Sequence, residues 1–130
     1  MNIVVAYRKS HLSSRLLEKT IEQGRALGGM VHLITALPGE LTQRAREVDE
    51  SRNILDEALH LLEKEAIPCE SHLLLGGQSS GEDIIAFAQK YKADMIIIGV
   101  EKKSKVGKFL MGSTAQHVIT HADCPVYTVK

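Results

Sequence analysis

Short apolar runs alternate along this chain with segments whose hydrophobic residues recur every three or four positions. Ile3 to Ala6 is the first apolar run. Leu16, Leu17, Ile21, Gly24 and Leu27 then fall at helical spacing, and Gly28-Gly29 supplies a stop. Val31 to Leu37 is the second run, closed by Pro38-Gly39. Val48, Leu55, Leu59 and Leu62 share one stripe of a long helix, and Pro68 opens a third strand that reaches Leu75 before Gly76-Gly77. Ser79 with Glu82 three residues on is a capping box, and Asp83 adds a second acid where the helix dipole favours one. Ile84, Ala88 and Tyr91 mark the buried face of that third helix. Met95 to Ile98 is a fourth strand, a last helix covers about Ser113 to Ala122, and Pro125 opens a final strand, Val126 to Val129.

This order is strand then helix four times over, closed by a strand. It predicts an α/β protein, a single-domain open parallel five-stranded sheet with helices on both faces. The unbroken Ile96-Ile97-Ile98 suits a central strand buried on both sides. Pro38 to Arg46 is the expected flexible loop. In open α/β sheets ligands bind beyond the carboxyl ends of strands, where the strand order reverses. The candidate connections follow Ala6, Ala36, Gly76 and Ile98, and the last is the longest.

Composition narrows the function classes. The chain has 130 residues, enough for one domain, with 44% hydrophobic and 25% charged residues. Lys plus Arg and Asp plus Glu number 16 each, so the basic footprint that duplex nucleic acid or an anionic membrane surface requires is missing. No apolar run approaches the ~18 residues of a membrane helix. Ile3-Val4-Val5-Ala6 is too short for a signal-peptide core, so the expected location is cytoplasmic. Cys69 and Cys124 form no CxxC and read as free, buried thiols.

The charge balance conceals a local excess. From Glu101 to Lys130 there are five lysines against Glu101 and Asp123. Most of them lie in GVEKKSKVGKFLMGSTAQ, Gly99 to Gln116. Ser113 with Gln116 is a second capping-box pair, which makes Ser113 the expected cap of the last helix. The amides of Gly112, Ser113 and Thr114 would then form an anion site at the positive end of the helix. Gly112 and Gly99 allow a phosphate close approach, and Lys102, Lys103, Lys105 and Lys108 offer cationic partners. The loop is not a Walker A motif, because Phe109 follows Gly107-Lys108 and Lys102 stands where the first glycine belongs. No GxGxxG follows the first strand.

Gly99, Gly112-Ser113 and the tail His121-Ala122-Asp123-Cys124-Pro125-Val126 resemble the universal stress protein family. Its signature is G-x-x-G, nine residues, then G-[ST]. The resemblance extends over the whole chain. It implies a Rossmann-like, adenine nucleotide alpha hydrolase-like fold, a homodimer formed through the strand Val126 to Val129, and in some members ATP binding. Such members hold the phosphates on this loop and the adenine and ribose near the first two strands. That implies a candidate nucleotide site of Ala6, Tyr7, Arg8, Ala36, Gly99, Lys102, Lys103, Gly112, Ser113 and Thr114. Two positions depart from the family pattern. Lys102 replaces the second glycine, restricting the backbone while adding a cation. Arg8 stands in the stretch where the family often carries Asp-Gly-Ser; it cannot accept a hydrogen bond, although it can meet a phosphate.

Other chemistry is thin. His117 and His121 share a helix face, but Val118 stands where HExxH needs glutamate, so no metal cofactor is predicted. His32 and His72 read as packed or exposed strand residues, and His11 lies near the end of the first strand. No GxSxG elbow is present, and Ser10, Ser13 and Ser14 read as turn or cap residues. Aromatic residues are 4%, too few for base-stacking platforms. The first reading is therefore a stress-response module that binds ATP or a related adenine nucleotide, with slow or no hydrolysis. The alternative is a dimeric interaction module of the same fold that binds no nucleotide. An enzyme ranks third, since no catalytic base or nucleophile is placed.

Overall fold

The computed structural model describes residues 1–101 and 111–130. Its elements follow in the order β1 (Asn2–Ala6), α1 (Ser13–Leu27), β2 (Met30–Leu37), α2 (Ala45–Lys64), β3 (Cys69–Leu75), α3 (Ser80–Lys90), β4 (Met95–Gly99), α4 (Ser113–His121) and β5 (Val126–Val129). The strands form one sheet ordered β3-β2-β1-β4-β5, and every pairing is parallel. This is the sheet the alternation predicts, and it leaves β5 at an edge, as expected. The strand order reverses between β1 and β4, which are neighbours although three strands apart in sequence.

Successive side chains of a strand point to opposite faces, so β1 splits its residues between two cores. Ile3 and Val5 pack with Leu16, Leu17, Leu55, Ala58 and Leu62 from α1 and α2. Val4 packs with Ile84, Ala88, Ala115 and Val118 from α3 and α4. Ile96 and Ile98 belong to the second core and Ile97 to the first, so a continuous apolar run serves both faces of β4.

Local signals set the ends of the elements. Gly28 takes a left-handed conformation (φ 62°) and donates its N–H to the Gly24 carbonyl, which closes α1. Ser79 caps α3, its Oγ accepting from the Glu82 amide at 3.2 Å. Ser10 and Ser13 build the turn before α1: Ser13 Oγ accepts from the Ser10 amide and Ser10 Oγ from the Leu12 amide. The capping expectation fails at Ser113. Helix α4 starts one residue earlier than that reading requires, so extended Gly112 is the N-cap and Ser113 the first helical residue, with no side-chain cap bond. Cys69 and Cys124 are free, but half-buried rather than buried. His32 is packed: it is 4% exposed, and burial, then the adjacent His72, hold it below the ordinary imidazole pKa.

Candidate functional site

The carboxyl ends of β1, β2 and β4 open onto a cavity of about 500 Å³ at the reversal of strand order. That size suits a small organic ligand. Ala6, Tyr7, Arg8, Ala36, Gly99, Gly112, Ser113 and Thr114 all line it. Residues from β1, β2, β4 and the start of α4 thus meet around one space. Lys102 and Lys103, with Lys105 and Lys108, lie outside the described residues.

Hydrogen bonds hold the wall beyond β1. The Tyr7 amide donates to the Ile34 carbonyl at 2.9 Å, and Thr35 Oγ1 donates to the Tyr7 carbonyl at 2.8 Å. These bonds carry the β1–β2 pairing one residue past the strand and fix where Arg8 leaves the sheet. On the other side the Val100 amide donates to the Val129 carbonyl at 2.7 Å, which holds the exit of β4.

The α4 end is suited to an anion. Amides in the first turn of a helix have no carbonyl of their own helix to bond, and the dipole is positive there. Among the described residues, nothing in the fold requires a glycine at 112. Its φ of −65° and ψ of 157° suit any residue. An added Cβ would meet nothing within 4 Å among the described residues. Gly99 is tighter, with the Leu12 side chain 3.4 Å from an added Cβ.

Several lining residues are absent from the sequence-derived set: Thr35, Arg44, Glu47, Ser51, Ile54, Ser80 and Glu101. Arg44 is the most informative, because it falls in the segment read as a flexible loop. Its guanidinium bonds both Glu47 carboxylate oxygens at 2.8 Å and the Pro38 carbonyl at 2.7 Å. The hydrogen bonds with Glu47 raise the Arg44 pKa and lower that of Glu47. Arg and Glu three residues apart at a helix start were a legible signal of this pair. The cavity rim therefore carries Arg8 and Lys9 as exposed cations, with Arg44 held by Glu47.

The sequence profile of the universal stress protein family matches residues 1–130. A curated universal stress protein of Methanocaldococcus jannaschii is 33% identical over 82 residues, which is 63% of this chain and 47% of that protein. The chain thus spans about half the length of that relative. A universal stress protein structure from Archaeoglobus fulgidus superposes with a TM-score of 0.89 at 33% identity, covering 99% of this chain and 97% of that one. A universal stress protein from Archaeoglobus fulgidus, solved in complex with dAMP, gives a TM-score of 0.82 at 30% identity over 99% of this chain and 96% of that one. The fold is the Rossmann-like, adenine nucleotide alpha hydrolase-like one. With the profile spanning the chain and the sheet order, helix layers and cavity as described, the protein belongs to the universal stress protein family.

Proposed function

We propose that the cavity binds an adenine nucleotide, ATP or a relative of it, and that the protein acts as a regulatory stress-response module with slow or no hydrolysis. One observation carries this reading: residues from four separate elements converge on a single cavity that ends at the α4 N-terminus. The dAMP complex of the similar Archaeoglobus fulgidus protein supports the ligand class. Ala36, Leu37 and Ile54 supply an apolar wall for a base. The amides of Ser113 and Thr114, with Arg8, supply partners for phosphate oxygens. A ligand that approaches the backbone closely also gives Gly112 a role that the described residues do not.

The reading extends to assembly and place. β5 pairs with β4 on one side and stands at the sheet edge on the other, which suits a homodimer through Val126–Val129. No helix among the described residues is long and apolar enough to cross a membrane, and we place the protein in the cytoplasm. The rival reading, an interaction module without nucleotide, draws on Arg8, which cannot accept a bond from a ribose hydroxyl. Mass spectrometry of nucleotide released on denaturing the purified protein, followed by calorimetric titration with ATP, separates the two.

A further inference from the structure

Toward the amino-terminal ends of the strands, on the α3 face of the sheet, lies a second cluster of chemistry-bearing side chains. His32 of β2 is in register with Glu70 of β3, and Ile34 with His72. Two-residue spacing puts His32, Glu70 and His72 on one face. None of the three lines the nucleotide cavity. His32 Nδ1 lies 3.2 Å from His72 Nε2, Glu70 Oε2 lies 3.3 Å from His72 Nε2, and it lies 3.8 Å from His32 Nδ1. We propose that His32, Glu70 and His72 form a binding site for a divalent transition metal of the Zn2+ class.

Asn2 Nδ2 donates to the Tyr91 carbonyl at 3.0 Å, which fixes the amide so that Oδ1 faces His32. Oδ1 accepts only, and His32 Nε2 lies 3.1 Å from it, so Nε2 carries the ring proton. In neutral His32 the lone pair is then on Nδ1, facing His72 and Glu70. The carboxylate also offers lone pairs. Of the three converging atoms, only His72 Nε2 is left to carry a proton; with that proton on Nδ1 instead, all three present lone pairs to one point. A cation serves all three.

Zinc bonds of about 2.0–2.1 Å place tetrahedral ligand atoms roughly 3.3–3.4 Å apart. Two of the three separations fall within about 0.2 Å of that spacing, and the third belongs to Glu70, whose side chain is 51% exposed and free to adjust. Two imidazoles and a carboxylate are a donor set for Zn2+ or Co2+ rather than Mg2+ or Ca2+. The surroundings hold the rings in place: His72 packs on Phe87 at 4.8 Å between centroids and His32 on Tyr91 at 5.0 Å. Asn2 is the outer-shell partner that orients the buried ligand. The exposed Glu70 side gives the ion an entry path and leaves a fourth position to water.

The test uses tag-free, chelator-treated full-length protein titrated with ZnCl2 in a calorimeter, with Co2+ absorption as a second readout of geometry. The expected result is one Zn2+ per chain and a tetrahedral Co2+ spectrum. Glu70→Gln and His72→Gln should each weaken binding at least tenfold. Asn2→Ala should weaken it about ten- to a hundredfold. The His117–His121 pair, half-buried at His117 and exposed at His121, with rings stacked at 4.0 Å, is the internal competitor. His117→Gln with His121→Gln should leave the zinc isotherm unchanged. Absence of saturable uptake overturns the proposal, as does uptake indifferent to Glu70→Gln or lost in the His117/His121 variant. Glu70 is a surface side chain, so its variant decides the matter even if His72→Gln misfolds.

Discussion

Thr35 Oγ1 and the Tyr7 carbonyl, 2.8 Å apart, tie β2 to the chain just beyond β1 and so set one wall of the cavity. Thr35→Val keeps the shape and removes the donor, leaving a buried-side carbonyl without its partner. Stability should fall by about 1 kcal/mol, with a larger loss only if the carbonyl stays dry. Urea denaturation measures the fall. Nucleotide affinity should drop as well, because Arg8 leaves the sheet from this point.

Gly112 separates fold from function. The backbone angles suit any residue and an added Cβ would meet nothing within 4 Å among the described residues, so Gly112→Val should fold, with a stability change of less than about 1 kcal/mol for the lost glycine N-cap. Nucleotide affinity should fall at least tenfold, since the new methyl groups stand beside the amides offered to phosphate. Paired thermal denaturation and calorimetry read the two effects apart. A variant that binds as tightly as the parent would remove Gly112 from the phosphate site.

Gly81 behaves in the opposite way. A Cβ there would lie 2.8 Å from His117 Cβ, so α3 and α4 can approach only because residue 81 has no side chain. Gly81→Ala should cost about 1–3 kcal/mol through forced separation of the two helices, despite alanine's better helix propensity. The denaturation midpoint should move down with an unchanged m-value.

The thiols give a pH-dependent expectation. Burial first, then the charge of Glu63, raises the Cys69 pKa, and burial first, then Asp123 and Asp94, raises that of Cys124. A raised thiol pKa means the unfolded chain loses its proton first as pH rises. The contribution to stability is therefore complete below about 8.5, the unfolded value, and is lost as pH climbs from there toward the native value. Native protein at pH 8 should alkylate more slowly at both cysteines than denatured protein, as peptide mass spectrometry can follow.

Much of the fold was legible because its signals are local. Ile96-Ile97-Ile98 announces a strand buried on both faces, and Ser79 with Glu82 announces the start of α3. The cavity residues next to strand ends followed from the rule that ligands gather there, together with the family resemblance. What escaped depends on register and tertiary approach. Nothing local marks Gly81 as a helix contact, since its partner is 36 residues away. His32 and His72 read as ordinary strand histidines until the β2–β3 register sets them beside Glu70. The Ser113 cap was misread because Gly112 satisfies the same position one residue earlier.

Calorimetric titration of ATP into nucleotide-stripped protein decides whether a polyphosphate is held at the α4 N-terminus inside this cavity. A saturable isotherm with one nucleotide per chain is expected, abolished or weakened at least tenfold by Gly112→Val. Millimolar ATP, ADP and AMP that give neither heat nor a rise in Tm would contradict binding there.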